Sequence, residues 1–487
     1  MRMEYENRRK YFVSKKVNFV PPLNSPSSFL EKLLDSIDRL SVPSKLVKLI
    51  DHLERSSIAS WICINGYSQQ NKPARSKLIF NIFLCLWCYA NSLRHLTIAF
   101  IQDENSRILL GDSFIGYPAY SLLNIIFSGA AFLLGSIKTA LVYSESQSRM
   151  QILNVFGSLR DKSFDRSIWG MTKNCDLKFR RLTCLTSYSL DIFIVTAVGS
   201  TITMQIQAMV LNPSISVRTF LIQLAWLPVS NIAVYFSGLA AYWFFVHTII
   251  FVSLSIQSTS SAIIRVDKLI KSVKVSYSHS VTMTVIQRLI QMQNAHYNTI
   301  AILNDNFGLS VFISFFVGSL FADLAFFCGT YVSTKNILLD LLLSFIGFIT
   351  LGTITQYNLF ASGSFKKIEK FRKAIYRLSV NIPFDLKTRF KLITTLERMS
   401  TYKIGFYIGN IFCIDDYHCF IVSCKMPKIY YFHDKIFSQL SVSPGKCQFI
   451  SSFNCKYFQS NKLTRKTMLQ RMSNSRKEIK DILNANF

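Results

Sequence analysis

The chain has 487 residues, 50% of them hydrophobic and only 17% charged, with a mean hydropathy of +0.27. That is too apolar for an ordinary soluble enzyme or binding domain of this length. The net charge of +28 argues for no nucleic-acid partner, because the Lys and Arg residues lie between apolar stretches and not on one basic face.

Residues 1–77 carry 14 Lys/Arg against 7 Asp/Glu. No apolar leader core opens them, so the first span is expected to act as its own anchor. A turn-rich patch at 21–28 precedes apolar residues at helical spacing (Leu30, Leu33, Leu34, Ile37, Leu40, then Leu46, Leu49, Ile50, Leu53), which predicts one or two amphipathic helices. Six apolar runs follow, at about 78–100, 117–143, 185–209, 229–254, 307–328 and 337–357. Each is long enough to cross a hydrocarbon core of roughly 30 Å as a helix. The fourth is the least regular, being apolar from 220 onward with Pro228 as a break, so 220–227 is expected to lie at or dip into the interface. The fifth and sixth are joined by the short link 329–336 and must lie side by side and antiparallel.

Orientation follows from the Lys/Arg count in successive connections. It runs 14 before the first span, then one (101–116), eight (144–184), one (210–228), five (255–306), one (329–336) and ten (361–400). The unbroken alternation predicts a multi-pass protein with a cytoplasmic N-terminus. The inner connections keep helical periodicity at 256–275, 282–304 and 365–378. Their apolar stripe (Ile286, Leu289, Ile290, Met292, Ile300, Leu303) needs a partner, so these helices are expected to bundle beyond the bilayer. The resulting fold class is all-α and polytopic. Its expected divisions are a cytoplasmic N-terminal segment (1–77), six spans (78–360), cytoplasmic helices leading toward a last span (361–423) and a basic, aperiodic tail (424–487).

Charges at membrane depth are costly and mark function. Lys138 and Asp191 fall near inner span ends, where they can pair or snorkel; Arg94 and His95 near an outer end, where snorkelling suffices. Asp323 and Asp340 flank the same short outer link. They would lend negative potential to an outer vestibule, or else face the interface with Lys335 as shared partner. No enzyme is indicated, since no Gly-rich phosphate loop, HExxH or GxSxG occurs. No metal or cofactor is expected either: Cys85 and Cys88 lack the second ligand pair of a zinc site, and Cys413, His418 and Cys419 have no recognised ligand spacing.

Two stretches resemble the arthropod gustatory receptors, a family of seven-span chemosensory channels related to insect odorant receptors. One is Ile290-Gln-Met-Gln-Asn-Ala-His-Tyr-Asn-Thr-Ile-Ala-Ile-Leu-Asn-Asp-Asn-Phe-Gly308, followed by an apolar span and Tyr331 on the outer link. The other is Phe390-Lys-Leu-Ile-Thr-Thr-Leu-Glu-Arg398, then Ile404-Gly-Phe-Tyr-Ile-Gly-Asn-Ile-Phe-Cys-Ile-Asp-Asp-Tyr417. The family's Thr-Tyr, five apolar residues, Gln-Phe word is absent: Thr330-Tyr331 runs into Val-Ser-Thr-Lys, and Gln448-Phe449 follows Ser-Pro-Gly-Lys-Cys. The final pore-lining span is therefore expected to be missing or replaced.

The resemblance implies a ligand-gated, non-selective cation channel subunit of the plasma membrane that detects small-molecule tastants, as a homo- or hetero-tetramer with related subunits. Its pocket would draw on Tyr117, Tyr120, Gln205, Trp226, Asp323 and Tyr331, aromatic and polar residues near outer helix ends. A G-protein-coupled receptor, a six-span transporter and a truncated, non-conducting product are the alternatives. A label placed before residue 78 is expected to be reached by antibody only after cells are permeabilised, while one in 101–116 is reached on intact cells; the reverse pattern overturns the orientation.

Overall fold

The computed structural model describes residues 35–62, 65–67, 74–117, 119–210, 216–273, 279–332, 334, 336–382, 384–401, 404–409 and 412–415. The predicted amphipathic segment is two helices where it is described, 35–40 and α1 (Pro43–Ala59). Pro43 opens α1 at a position whose N–H would be unpaired anyway. Leu46, Ile50 and Leu53 share one face and have no exposed surface. Arg180 donates to Ser41 O at 2.9 Å, and Arg160 pairs with Glu54, holding this end against helices further along the chain.

The long helices are α2 (Arg75–Phe100), then α4 (Tyr120–Ser146), α6 (Lys173–Val210), α7 (Val217–Val273), α8 (His279–Tyr331) and α9 (Ile337–Asn381). Short α3 (Glu104–Leu109) and α5 (Gln151–Asp161) occupy two links, and α10 (Leu386–Thr401) follows α9. Among the described residues, all of the long helices except α6 are apolar and long enough to cross a membrane. The 38-residue α6 carries the third predicted span, with side chains at 190–191, 193–195, 197–198 and 200–201 outside the described residues. Apolar side chains such as Ile79, Phe83 and Leu86 on α2 and Leu341, Phe345 and Phe348 on α9 face outward, as a lipid solvent allows.

At the helical rise, α7 is roughly 85 Å long, α8 roughly 80 Å and α9 close to 70 Å, far more than a bilayer needs. The excess forms the expected bundle. Of the expected stripe, Ile286, Leu289, Ile290, Ile300 and Leu303 are buried and Met292 is half-buried. Gln293 of α8 contacts Thr259 Oγ1 (3.0 Å) and Ser258 Oγ (3.3 Å) of α7, and Arg377 of α9 pairs with Asp267 of α7 at 3.2 Å. A small antiparallel hairpin, β1 (Tyr407–Ile408) with β2 (Phe412–Cys413), closes the described chain. It docks on α8, where Asn304 Nδ2 donates to Gly405 O (2.8 Å), Tyr407 N to Asn304 Oδ1 (3.1 Å) and Gly409 N to Gly308 O (3.0 Å). The two receptor-like sequence words thus touch each other in space. His418, Cys419 and the tail from 424 lie outside the described residues, and with them the expectation of a replaced last span.

Pro228 does not interrupt the chain: one α-helix runs through it from Val217 to Val273. Trp87 Nε1 donates to Val229 O at 2.8 Å, Ser230 Oγ to Trp226 O at 2.9 Å and Asn231 Nδ2 to Leu227 O at 2.8 Å. These side chains add bonds to the carbonyls of 226, 227 and 229, while the carbonyl left without an amide donor by Pro228 itself is that of Leu224, one turn earlier.

The α8–α9 pair is packed backbone to backbone. A Cβ at Gly347 would stand 2.6 Å from Ala322 O, and one at Gly329 would stand 2.3 Å from Asp340 O. Between the two helices, Asn336 Oδ1 caps α9 by accepting from Leu338 N (3.1 Å) and Leu339 N (3.3 Å). Gly347→Val should push the helices apart and destabilise the detergent-solubilised protein by about 1–3 kcal/mol, as overpacking does. Gly352→Ala, where a Cβ meets nothing within 4 Å, should leave thermal stability unchanged or slightly raised.

Candidate functional site

Six helices line a half-open cavity of about 650 Å³. Helix α4 supplies Phe127, Ala130 and Leu134, α6 Met204 and Gln205, α7 Leu227, Pro228 and Asn231, α8 Ser314, Gly318 and Phe321, α9 Leu343, Ile346 and Thr350, while α2 supplies only His95. The room comes from small residues at these crossings, among them Ala130, Ala131, Gly238, Gly318, Ala322 and Ala325. Walls of this kind, apolar with a few polar groups, suit a small neutral organic molecule. No Asp, Glu, Lys or Arg side chain lines the cavity among the described residues.

A polar chain covers the His95 side of the chamber. Asn124 Nδ2 donates to Asp112 Oδ1 (3.0 Å) and to Tyr120 O (2.9 Å), so its Oδ1, 2.8 Å from His95 Nδ1, must accept. His95 therefore carries its proton on Nδ1. Its Nε2 is left to accept from Arg94 Nη2 at 3.4 Å. Arg94 Nη1 donates to Ser230 Oγ at 2.8 Å, and its guanidinium lies 4.6 Å from the Trp226 ring centroid. At the far end Asp112 Oδ2 meets Arg107 Nη1 at 3.4 Å, Asp112 Oδ1 accepts from Phe114 N at 3.0 Å, and Asp112 O accepts from Gln223 Nε2 at 2.5 Å. Burial pushes the Asp112 carboxyl up from its ordinary value, against the downward pull of Asn124, the Phe114 amide and Arg107. Arg94 and His95 thus do not snorkel as their position in α2 suggests. They turn inward, because Asn124 and Ser230 offer partners on α4 and α7.

Of the six residues expected from sequence to form the pocket, Gln205 alone is among those lining the cavity. Tyr117 and Tyr120 pack against the core that includes Phe114, Leu123 and Met204, and Arg107 sits 3.8 Å over the Tyr120 ring. Trp226 donates from Nε1 to Leu109 O at 3.1 Å and lies so close to Gly111 that a Cβ there would stand 2.3 Å from its ring, at a position whose φ of +73° also favours glycine. Tyr331 is exposed and stacked on Phe327 at 5.5 Å. Asp323 is buried and, among the described residues, neither carboxylate oxygen has a hydrogen-bond partner. It precedes the α8 end by eight residues, roughly 12 Å, deeper than a position beside the link. Asp340 instead accepts from Thr334 N (3.2 Å) and Thr334 Oγ1 (2.7 Å). Lys335 and the Asp191 side chain lie outside the described residues, while Lys138 is buried. His95, Asn231 and Ser314 were not foreseen as lining residues. The available signal was their polarity within apolar runs.

No protein-family model matches the sequence, and no curated protein does. Among solved structures, the insect olfactory receptor OR5 from Machilis hrabei, in complex with eugenol, aligns with a TM-score of 0.60 at 10% identity, covering 82% of this chain and 100% of that one. A second structure of OR5 gives 0.58 at 11% identity, covering 82% and 98%. What is shared at such identity is the fold. This chain is a multi-pass membrane protein with the fold of the insect olfactory receptor OR5.

Asn124→Ala should strand the His95 Nδ1–H inside the protein, leave Asp112 Oδ1 with the Phe114 amide as its one remaining donor among the described residues, and cost about 1–3 kcal/mol of thermal stability. The raised Asp112 carboxyl binds its proton more tightly folded than unfolded. Its contribution is therefore full below the ordinary carboxylate range and is lost as pH rises from there through the folded value. Melting temperatures measured across that range should fall more steeply with pH for wild type than for Asp112→Asn.

Proposed function

We propose that the chain is a gustatory-receptor-like subunit of a ligand-gated, poorly selective cation channel, and that small-molecule tastants bind in the cavity between α2, α4, α6, α7, α8 and α9. The observation that carries this is a half-open, uncharged chamber of about 650 Å³ in a fold shared with a receptor solved in complex with eugenol. The gustatory assignment rests on the two sequence words that meet at Asn304 and Gly405. The same resemblance implies a homo- or hetero-tetramer of related subunits in the plasma membrane. The alternation of basic links supports a cytoplasmic N-terminus. Ligand drives opening only through its differential affinity for the open state, so a wall that shifts between states is required.

A Cβ at Gly318 would stand 3.4 Å from Leu133 Cδ2 and Ile354 Cδ1, so a larger side chain there occupies the cavity. In cells expressing the chain alone or with related subunits, a panel of small neutral tastants should evoke cation current that persists when G-protein signalling is blocked. Gly318→Leu and Ala130→Leu should abolish the current at unchanged surface level. Current that survives both substitutions, or that needs G proteins, sinks the proposal. Ligand binding without current in any subunit combination is the outcome for a truncated, non-conducting product, the reading favoured by the missing Gln-Phe word.

A further inference from the structure

Gln205 and Asn231 face each other across α6 and α7, and their amides are oriented without ambiguity. Leu227 O is a carbonyl and only accepts, so the Asn231 atom 2.8 Å from it is Nδ2. The same Nδ2 lies 2.5 Å from the Gln205 side chain, so that atom is Oε1. Two primary amides are able to pair through two N–H···O bonds. Here one is made and the other half is open: Gln205 Nε2 and Asn231 Oδ1 have no partner among the described residues, and both residues line the cavity.

Most other polar groups at the wall are committed. His95 is bonded at both nitrogens, Ser230 donates to Trp226 O and accepts from Arg94, and Thr350 and Thr353 donate to Ile346 O and Ile349 O. Tyr242 shares a bond with Ser189, and Tyr235 is exposed. Ser314 Oγ, on α8, is also buried and unpaired. As a single hydroxyl it serves donors and acceptors alike and selects nothing.

We propose that the open half of the Gln205–Asn231 pair recognises a ligand hydroxyl, so that the cavity selects uncharged alcohols and phenols over ethers and hydrocarbons of the same shape. One hydroxyl oxygen accepts from Gln205 Nε2 while its hydrogen goes to Asn231 Oδ1, closing the amide pair through the ligand. An ether oxygen satisfies only Gln205, and a hydrocarbon leaves both amides unpaired. A carboxylate or an ammonium finds no counter-charge on the wall and loses its hydration on entry. This rests on the cavity being the ligand site.

The test uses the full chain in detergent or nanodiscs, with affinities for p-butylphenol, p-butylanisole and butylbenzene measured by thermal stabilisation. The phenol should bind about threefold to tenfold more tightly than the anisole, the ratio expected for one additional net hydrogen bond. Gln205→Met should bring the anisole down to the level of butylbenzene and weaken the phenol by about threefold to tenfold, its bond to Asn231 Oδ1 remaining, while leaving butylbenzene binding intact, which also shows that the variant is folded. Asn231→Leu should erase the phenol's advantage over the anisole. Equal affinity of wild type for phenol and anisole overturns the proposal, as does a preference that survives both substitutions; the cavity reading then stands through butylbenzene. Failure of all three probes to bind overturns the cavity reading itself.

Discussion

Where Gly347 of α9 meets Ala322 and Phe326 of α8, and Gly329 of α8 meets Asp340 and Ser344 of α9, backbone of one helix lies against the other with no room for a Cβ on either glycine. The close pair follows from two constraints acting together. In lipid every backbone group must be satisfied within its helix, and helices then associate through shape and close approach without a hydrophobic drive. A short link between 331 and 337 forces these two to be neighbours, and the glycines let them touch. Both helices continue past any bilayer thickness, so the same contact sets two walls of the cavity and two members of the bundle beyond it.

Around that pair the polar groups divide into two kinds. Arg94, His95, Asn124, Asp112 and Arg107 form a chain in which donors meet acceptors in one direction from Arg94 and His95 on α2 through Asn124 on α4 to Asp112, where Arg107 donates from the opposite side. Such a network is costly to break, because each member left alone stays buried. It makes a stiff cover over one side of the chamber. Within the chamber, Gln205, Asn231 and Ser314 keep hydrogen-bonding capacity in reserve. Stiff surroundings with a few unspent groups are what a selective small-molecule site needs, since the protein is not free to repair an unmatched contact by rearranging.

Much of the architecture was legible along the chain. Apolar run length marked the long helices, and the stripe from Ile286 to Leu303 announced a bundle. The proximity of 304–308 to 405–409 was not legible, although both words had been singled out. Asp323 and Asp340 show the limit from the other side: a span diagram places both beside one link, yet α8 runs on to Tyr331 and carries Asp323 two turns deeper. Arg94 illustrates the same point. Its depth suggested a side chain reaching for water, but the Trp226 face and Ser230 on another helix drew it inward.

What the linear order of residues determined is the set of helices, their lengths and their amphipathic faces, because these follow from local periodicity and from the absence of water in the hydrocarbon layer. Helix α7 running through Pro228 was already beyond that reach, since the added bonds to carbonyls beside it come from Trp87 on another helix as well as from its own Ser230 and Asn231. The cavity belonged wholly to the tertiary structure. Its walls come from residues scattered between 95 and 354, and whether Gln205 faces a neighbour, lipid or an empty chamber depends on the rotation of each helix about its axis. That rotation is decided by packing against all the other helices at once, and no stretch of sequence carries it alone.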